Sequence, residues 1–147
     1  MNDIKLPKIG LTFSRKLMPQ LGPTEQFLKN LDKENIEYKN VSVNPGDLRA
    51  SQSEFNLDAV RSIMNDPKKT KSSIVISKDN YILDGHHRWI ADYNKGVKTK
   101  AIMVDLPILE LMRIAKTFDT TTYKDVHSVG PAIKKVVAEA VIARKYK

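Results

Sequence analysis

Five consecutive residues, Asp84-Gly85-His86-His87-Arg88, combine side chains that suit phosphate binding and proton transfer. Arg88 carries a planar, permanently charged guanidinium that can grip two phosphate oxygens at once. The neighbouring histidines can donate hydrogen bonds or exchange protons near neutral pH. Gly85 has no side chain to block the close approach of a ligand. The predicted phosphate-binding residues are therefore Gly85, His86, His87 and Arg88. The predicted catalytic residues of this run are Asp84, His86 and His87.

Asp84 has three chemically reasonable roles. Its carboxylate can cap the following helix, orient a histidine, or hold Mg²⁺ through water. A metal site built from both His86 and His87 fits a helix poorly, because adjacent helical residues point about 100° apart. The third histidine, His127, lies far away in a polar stretch and is treated as inert.

These residues follow two short apolar segments joined by a tight turn. Ile74–Ile76 and Tyr81–Leu83 read as strands around the turn Lys78-Asp79-Asn80, and a helix is predicted from Gly85 to about Asn94, stopped by Gly96. A helix N-terminus offers unpaired N–H groups and partial positive charge, which suits an anion. Within this helix, Trp89, Ile90 and Tyr93 are predicted to be core.

The remaining pattern predicts alternating helices and strands behind an extended N-terminal arm. Thr24 is the expected N-cap of the first helix, and Asn56 or Asp58 is expected to start the second. A polar loop is expected between the turn at 44–47 and the second helix. The further predicted elements are a strand at Ile9–Phe13, helices at Glu25–Glu34 and from 56–58 to before Pro67, strands at Glu37–Val43 and Thr99–Val104, a helix from Pro107 through Lys116, and a final helix from Pro131 to about Ala143.

Composition bounds the chemistry. The chain has 147 residues, a formal net charge of +8 and no cysteine. Disulfides, thiolate nucleophiles and iron–sulfur clusters are therefore excluded, and a basic surface attracts nucleotides, nucleic acid or acidic partners. We find neither a signal-peptide pattern nor an apolar run long enough to span a membrane, so a cytoplasmic location without membrane association is expected.

Residues 72–91, with the strand hairpin that feeds the glycine-led helix, resemble the core of ParB/sulfiredoxin-like domains, and the likeness extends over about residues 36–106. This resemblance implies a mixed α+β fold, a small mixed sheet flanked by helices that binds nucleotide phosphates at the glycine-led helix. The expected organisation is an arm and helix at 1–35, a ParB/sulfiredoxin-like core at 36–118, and a linker with a C-terminal helix at 119–147 that could dock on a partner.

Departures from the family pattern narrow the activity. Sulfiredoxins need a cysteine where this chain has His86, so sulfinic acid reduction is excluded. Chromosome-segregation ParB proteins carry Gly-Glu-Arg-Arg where this chain has Gly85-His86-His87-Arg88. They also have a DNA-reading and a dimerisation domain, for which the roughly 40 residues after Pro107 are too few. The Asp-Gly-His-x-Arg form is similar to the motif of the free-serine kinase branch and to that of small phage ParB-like nuclease proteins. Residues 15–20 also resemble a segment found in such phage proteins. In the kinases a glutamate acts as base, and Glu54 stands at the matching place. The alternative is that Glu54 is an exposed loop carboxylate without a catalytic role.

The leading expectation is an ATP-dependent phosphotransferase or NTPase that uses ATP or another nucleotide with Mg²⁺. The acceptor would be a hydroxyl group of a small molecule, a protein or a nucleic acid, and Glu54 or His87 would take its proton. One alternative is a DNA-binding protein or nuclease with a basic rim formed by Lys68, Lys69, Lys71, Lys95, Lys98 and Lys100. Another is a non-enzymatic phage or host regulatory module. A homo-oligomer is compatible with each of them.

Overall fold

A computed structural model describes residues 4–7, 9–14, 17–66, 68, 72–119 and 121–123. The predicted final helix, His127, Lys69 and Lys71 lie outside these described residues. The elements in chain order are β1 (Ile9–Phe13), α1 (Thr24–Lys33), β2 (Tyr38–Val43), β3 (Ala50–Gln52), α2 (Leu57–Asn65), β4 (Ile74–Ser77), β5 (Ile82–Asp84), α3 (His86–Lys95), β6 (Thr99–Val104) and α4 (Ile108–Ala115).

The larger sheet contains four strands in the order β2-β6-β4-β5. β2 and β6 pair antiparallel, from Tyr38 opposite Val104 to Val43 opposite Thr99. β4 runs parallel to β6 and antiparallel to β5, and so the sheet is mixed. The hairpin between β4 and β5 turns at Asn80, which has a positive φ of 68°. The predicted α+β class is confirmed, and the predicted strand at β6 has the same bounds in the structure.

A second sheet pairs β1 with β3 in parallel, with Phe13 opposite Gln52. β3 was not predicted, because the sequence analysis assigned this stretch to a polar loop. All three of its residues are buried, including Ser51 and Gln52. A strand of three residues with two polar side chains carries neither the length nor the alternation by which strands are recognised.

α1 and α2 begin with different kinds of N-cap. Thr24 was wrongly predicted to cap α1: Pro23 is the N-cap, its carbonyl accepts from the Phe27 N–H at 3.1 Å, and no side chain caps the helix. Asn56 does start α2, because its Oδ1 accepts a hydrogen bond from the Ala59 N–H at 3.1 Å. Among the described residues, no helix combines the length and the apolar character that crossing a bilayer requires.

Helices cover both faces of the larger sheet. Alternate residues of β4 point to opposite sides, as strand geometry requires. Val75 belongs to one apolar cluster with residues of α1 and α4, whereas Ile74 and Ile76 belong to another with residues of α2 and α3. Trp89 is fully buried in the second cluster, and its indole N–H donates to the Pro45 carbonyl at 2.8 Å. These contacts fix α3 against β4, and thereby the position of its N-terminus.

The core prediction for α3 was correct for Trp89 and Ile90, which are both fully buried. It was wrong for Tyr93, whose side chain is 37% exposed. The buried face of α3 instead includes His86 and Asp92. Polar residues thus occupy part of the face that the sequence analysis assigned to apolar packing.

Candidate functional site

A polar cavity of about 170 Å³ lies at the start of α3. The end of β5, the first turn of α3, the end of β3, a side chain of α2 and part of the N-terminal arm form its walls. The described residues that line it are Met18, Gln20, Gln52, Ile63, Leu83, Asp84, Gly85, His86, His87 and Arg88. Five of these ten are the residues 84–88 on which the sequence analysis placed its site.

Gly85 is the N-cap of α3 and has a left-handed backbone, with φ 101° and ψ 25°. A Cβ at this position would lie 2.5 Å from Cγ2 of Ile74 and 2.9 Å from Nη2 of Arg88. Both the positive φ and the contact with β4 therefore demand glycine. The sequence analysis attributed Gly85 to ligand access, and the packing against Ile74 is a further reason that it did not foresee.

The N-terminus of α3 has neither a side-chain cap nor an acidic residue in its first turn. Asp84 was considered as its cap, but the cap is Gly85 and no side chain forms a capping hydrogen bond. Of the four helices in the described part of the chain, α3 alone has no acidic residue in its first turn. The partial positive charge of the helix start therefore faces the cavity without a carboxylate from its own first turn.

Asp84 is the only lining residue of the described cavity that carries a carboxylate. Burial raises the pKa of this carboxyl group, and the nearby Arg88 charge and the Gly85 N–H only partly oppose that effect. A desolvated carboxylate of this kind is typical of functional sites. In nucleotide sites Mg²⁺ is usually held by one or two carboxylates together with substrate phosphates, so Asp84 fits a one-carboxylate site.

Arg88 lies beside two carboxyl groups whose pKa values burial raises, those of Asp84 and Asp92. Its Nη2 donates to the Ser73 carbonyl at 3.3 Å, which is longer than the usual N–H···O bond. Its Nε is buried and has no hydrogen-bond partner among the described residues. A buried donor without a partner costs roughly 1–3 kcal/mol, more for a charged group, and calls for an explanation. Because this nitrogen has essentially no exposed surface, an oxyanion in the cavity would pair with it only after a small shift of the guanidinium.

The two histidines are bonded to the backbone of β3 and of the N-cap of α2. Nε2 of His86 accepts the backbone N–H of Ser51 at 3.1 Å, and Nε2 of His87 accepts that of Asn56 at 3.0 Å. An imidazole nitrogen that accepts is unprotonated, so both rings carry their proton on Nδ1 in the neutral state. The ring of Phe55 lies near both, with centroids 6.1 Å from His86 and 6.4 Å from His87. Each histidine thus has a structural function that the sequence analysis did not predict.

Glu54, the predicted base, is not among the described residues that line the cavity, and it is exposed. Its backbone carbonyl nevertheless accepts a hydrogen bond from Nε2 of Gln52 at 2.6 Å, so the chain at Glu54 is close to the cavity wall. The assignment of a catalytic role to its carboxylate remains a prediction.

Sequence reasoning missed three of the lining residues that come from outside the 84–88 run: Met18, Gln20 and Gln52. Met18 is buried, and its sulfur lies 3.7 Å from Oγ of Ser51. Gln20 is held by two backbone hydrogen bonds with Thr122, at 2.7 and 2.9 Å. No local pattern marks these residues, because they contact distant parts of the chain: Met18 contacts Ser51, 33 positions away, and Gln20 pairs with Thr122.

A larger cleft of about 960 Å³ lies near the opposite end of β4, where Lys78 and Asp105 follow the paired strands. It contains none of the predicted site residues. Three carboxylates and two lysines surround it, and all five residues are exposed. Charges of both signs exposed to water are the usual state of a protein surface. The smaller cavity is the stronger candidate, because it encloses desolvated charged groups.

Comparison of the chain with protein-family models, with curated proteins and with solved structures found no match. The function is therefore inferred from the geometry and the charges of the cavity.

Proposed function

We propose that the protein binds the phosphates of ATP or a related nucleotide at the start of α3 and transfers or hydrolyses the terminal phosphoryl group. The observation that carries this proposal is the buried Nε of Arg88, which has no partner among the described residues, beside a polar cavity at a helix start. Nucleotide phosphates offer the oxygens that such a guanidinium and helix N-terminus bind.

The size of the cavity suits part of a nucleotide. A volume of about 170 Å³ is smaller than the roughly 300–1,000 Å³ of pockets that enclose a drug-sized ligand. The terminal phosphates would enter the cavity, and the ribose and base would lie outside it. A strand hairpin that feeds a glycine-led helix also agrees with the proposed ParB/sulfiredoxin-like assignment.

Phosphoryl transfer depends mainly on positioning and on neutralisation of charge. Arg88 and the N–H groups of α3 would orient the phosphates, and Asp84 would hold Mg²⁺, which neutralises phosphate charge when bound. An acceptor oxygen would form a bond to the terminal phosphorus as the bond to the bridging oxygen breaks and the nucleoside diphosphate leaves. The acceptor proton would pass to Glu54, or to Nε2 of His87 once that atom releases the Asn56 N–H, or the acceptor would be water.

A panel of nucleotides, each tested for thermal stabilisation of the full chain with and without Mg²⁺, provides the first test. Binding of ligand to the folded state alone raises its stability, by roughly 2.7 kcal/mol at a hundredfold excess over Kd. We expect at least one nucleoside triphosphate to stabilise the protein and to be converted to its diphosphate. Absence of stabilisation by every nucleotide in the panel would contradict the proposal.

A further inference from the structure

Gln52, the last residue of β3, has an unusual position for a glutamine. Its side chain lines the cavity, yet the residue is only 5% exposed. Burial of a polar amide is unfavourable unless its hydrogen-bonding groups find partners. The preceding residue, Ser51, is also buried, and it contacts Met18 and His86.

The orientation of the Gln52 amide is determined by one short contact. Nε2 donates to the Glu54 carbonyl at 2.6 Å, and only the NH₂ end of an amide can donate to a carbonyl oxygen. The other end, Oε1, is therefore an acceptor with a fixed direction. In the part of the chain that the structure describes, no group donates a hydrogen bond to Oε1. Oε1 is therefore available to accept a hydrogen bond from a ligand in the cavity.

We infer that Gln52 is a specificity-determining residue, which accepts a hydrogen bond from a hydroxyl group located a few bonds away from the phosphoryl group held at Arg88. The inference rests on the proposed phosphate-binding function of the same cavity. The ligand class is that of small phosphate esters with a free hydroxyl. In a transfer reaction, one hydroxyl of the acceptor would take the phosphoryl group and a second would donate to Gln52.

Cavity size and wall chemistry both support this class. A cavity of about 170 Å³ favours a small ligand over one that fills a pocket of roughly 300–1,000 Å³. The phosphate end is favoured by Arg88 and the helix start, and a hydrogen-bond donor is favoured by Gln52 and Asp84. A site that is built to accept a hydrogen bond from a ligand discriminates against an analogue that lacks the donor, because the buried acceptor is then left unpaired.

Gln26 provides a matched control away from the cavity. It is a half-buried glutamine of α1, and its amide donates to Oδ1 of Asn30 at 3.2 Å. It is not among the residues that line the cavity. Loss of this amide should therefore leave the choice of ligand unchanged.

Calorimetric titration of the full chain with ethyl phosphate and with 2-hydroxyethyl phosphate tests the inference, since the two esters differ by one hydroxyl. We expect the unmodified protein to prefer the hydroxylated ester by about tenfold, as one well-made hydrogen bond allows. Gln52→Met conserves the length of the side chain and should lose this preference while it retains the affinity for ethyl phosphate. Gln26→Met should keep the preference.

Equal affinities for the two esters in the unmodified protein would overturn the inference, and this comparison requires no variant to fold. A preference that persists in Gln52→Met would also overturn it. If ethyl phosphate binds in an Arg88-dependent way without any preference, the inference about Gln52 fails and the phosphate site stands. If neither ester binds but ATP with Mg²⁺ does, the inference about Gln52 fails and the proposed function stands. If ATP, both esters and inorganic phosphate all fail to bind, the proposed function fails, and the role of Gln52 fails with it.

Discussion

The imidazole of His86 accepts a hydrogen bond from the backbone N–H of Ser51 at 3.1 Å, deep in the protein and 35 positions away along the chain. This contact joins the first turn of α3 to β3. It therefore holds together the two walls of the cavity that contribute Arg88 and Gln52. As a histidine, His86 suggests proton transfer, yet its hydrogen bond to Ser51 also fixes the position of two cavity walls.

His86→Ala should lower the free energy of unfolding by about 2–4 kcal/mol, because it leaves the Ser51 N–H unpaired and removes a buried ring. His87→Ala should cost less, since His87 is only half-buried and the Asn56 N–H that it accepts is exposed to water. Chemical denaturation of both variants measures the difference. Restoration of most of the loss by His86→Gln, which returns an acceptor near the Nε2 position, would support the hydrogen bond as the cause. Equal losses in the two alanine variants would count against it.

Asp84→Asn should stabilise the protein at pH 7 when no Mg²⁺ is present. Burial raises the pKa of Asp84 in the folded protein, so the folded state favours the protonated form and loses stability as the pH rises through that pKa. Each pKa unit of difference is equivalent to about 1.4 kcal/mol above both pKa values. The neutral asparagine avoids this loss, and its advantage should shrink as the pH falls from the raised pKa of Asp84 toward the ordinary value of 3.8, below which little of it should remain. Unfolding curves in EDTA between pH 4 and pH 7 provide the measurement. A difference in free energy of unfolding between variant and native chain that favours the variant less at pH 7 than at pH 4 would contradict the prediction.

Glu54→Gln should reduce turnover of the nucleotide by about 10²–10⁴-fold if Glu54 is the base, which is the usual contribution of a general base. Because its carboxylate is not part of the described cavity wall, nucleotide affinity should not change. The same assay on Asp58→Asn, an exposed carboxylate of α2, provides the control. Turnover equal to that of the native chain would remove Glu54 from the mechanism and leave His87 or a direct reaction with water.

DNA binding and nucleotide binding should respond differently to salt. A protein that neutralises several DNA phosphates loses roughly 10³-fold or more in affinity between 50 and 200 mM salt, whereas a nucleotide held at one site makes few such contacts. Changing three exposed lysines to glutamate should weaken DNA binding and preserve nucleotide binding; these are Lys95, Lys98 and Lys100. Three other exposed lysines provide a control of equal charge, Lys29, Lys33 and Lys116. DNA affinity that survives high salt and depends on Arg88 would favour the DNA-binding alternative.

The elements that frame the cavity were predictable because their signals are local. The apolar strand at Ile74, the turn at Asn80 and the helix that ends at Gly96 each follow from residues within a few positions of one another. The same local signals located the run at 84–88. They could not show that Gly85 also fits against Ile74, since that contact depends on the pairing of β4 with β5.

The parts that were not predicted arise from contacts between distant segments. Gln52 reaches the cavity because β3 pairs with β1, and Gln20 reaches it because the arm pairs with the chain at Thr122. The burial of His86 likewise depends on Ser51 and Trp89. Pairings of this length leave no periodic pattern in the sequence, so the residue types alone suggested catalysis where the structure also shows a structural role.

The most direct test of the phosphate site is a titration of the full chain with ATP and Mg²⁺ at 200 mM salt, for the native protein and for Arg88→Met. Methionine keeps most of the length of the arginine stem but removes the charge and the unpaired Nε, so the variant should remain folded. We predict saturable one-to-one binding by the native chain and a loss of affinity of at least about tenfold in the variant, as expected for a charge-assisted contact worth roughly 1.5–3 kcal/mol. No saturable binding by the native chain, or equal affinity in a folded Arg88→Met variant, would contradict the account.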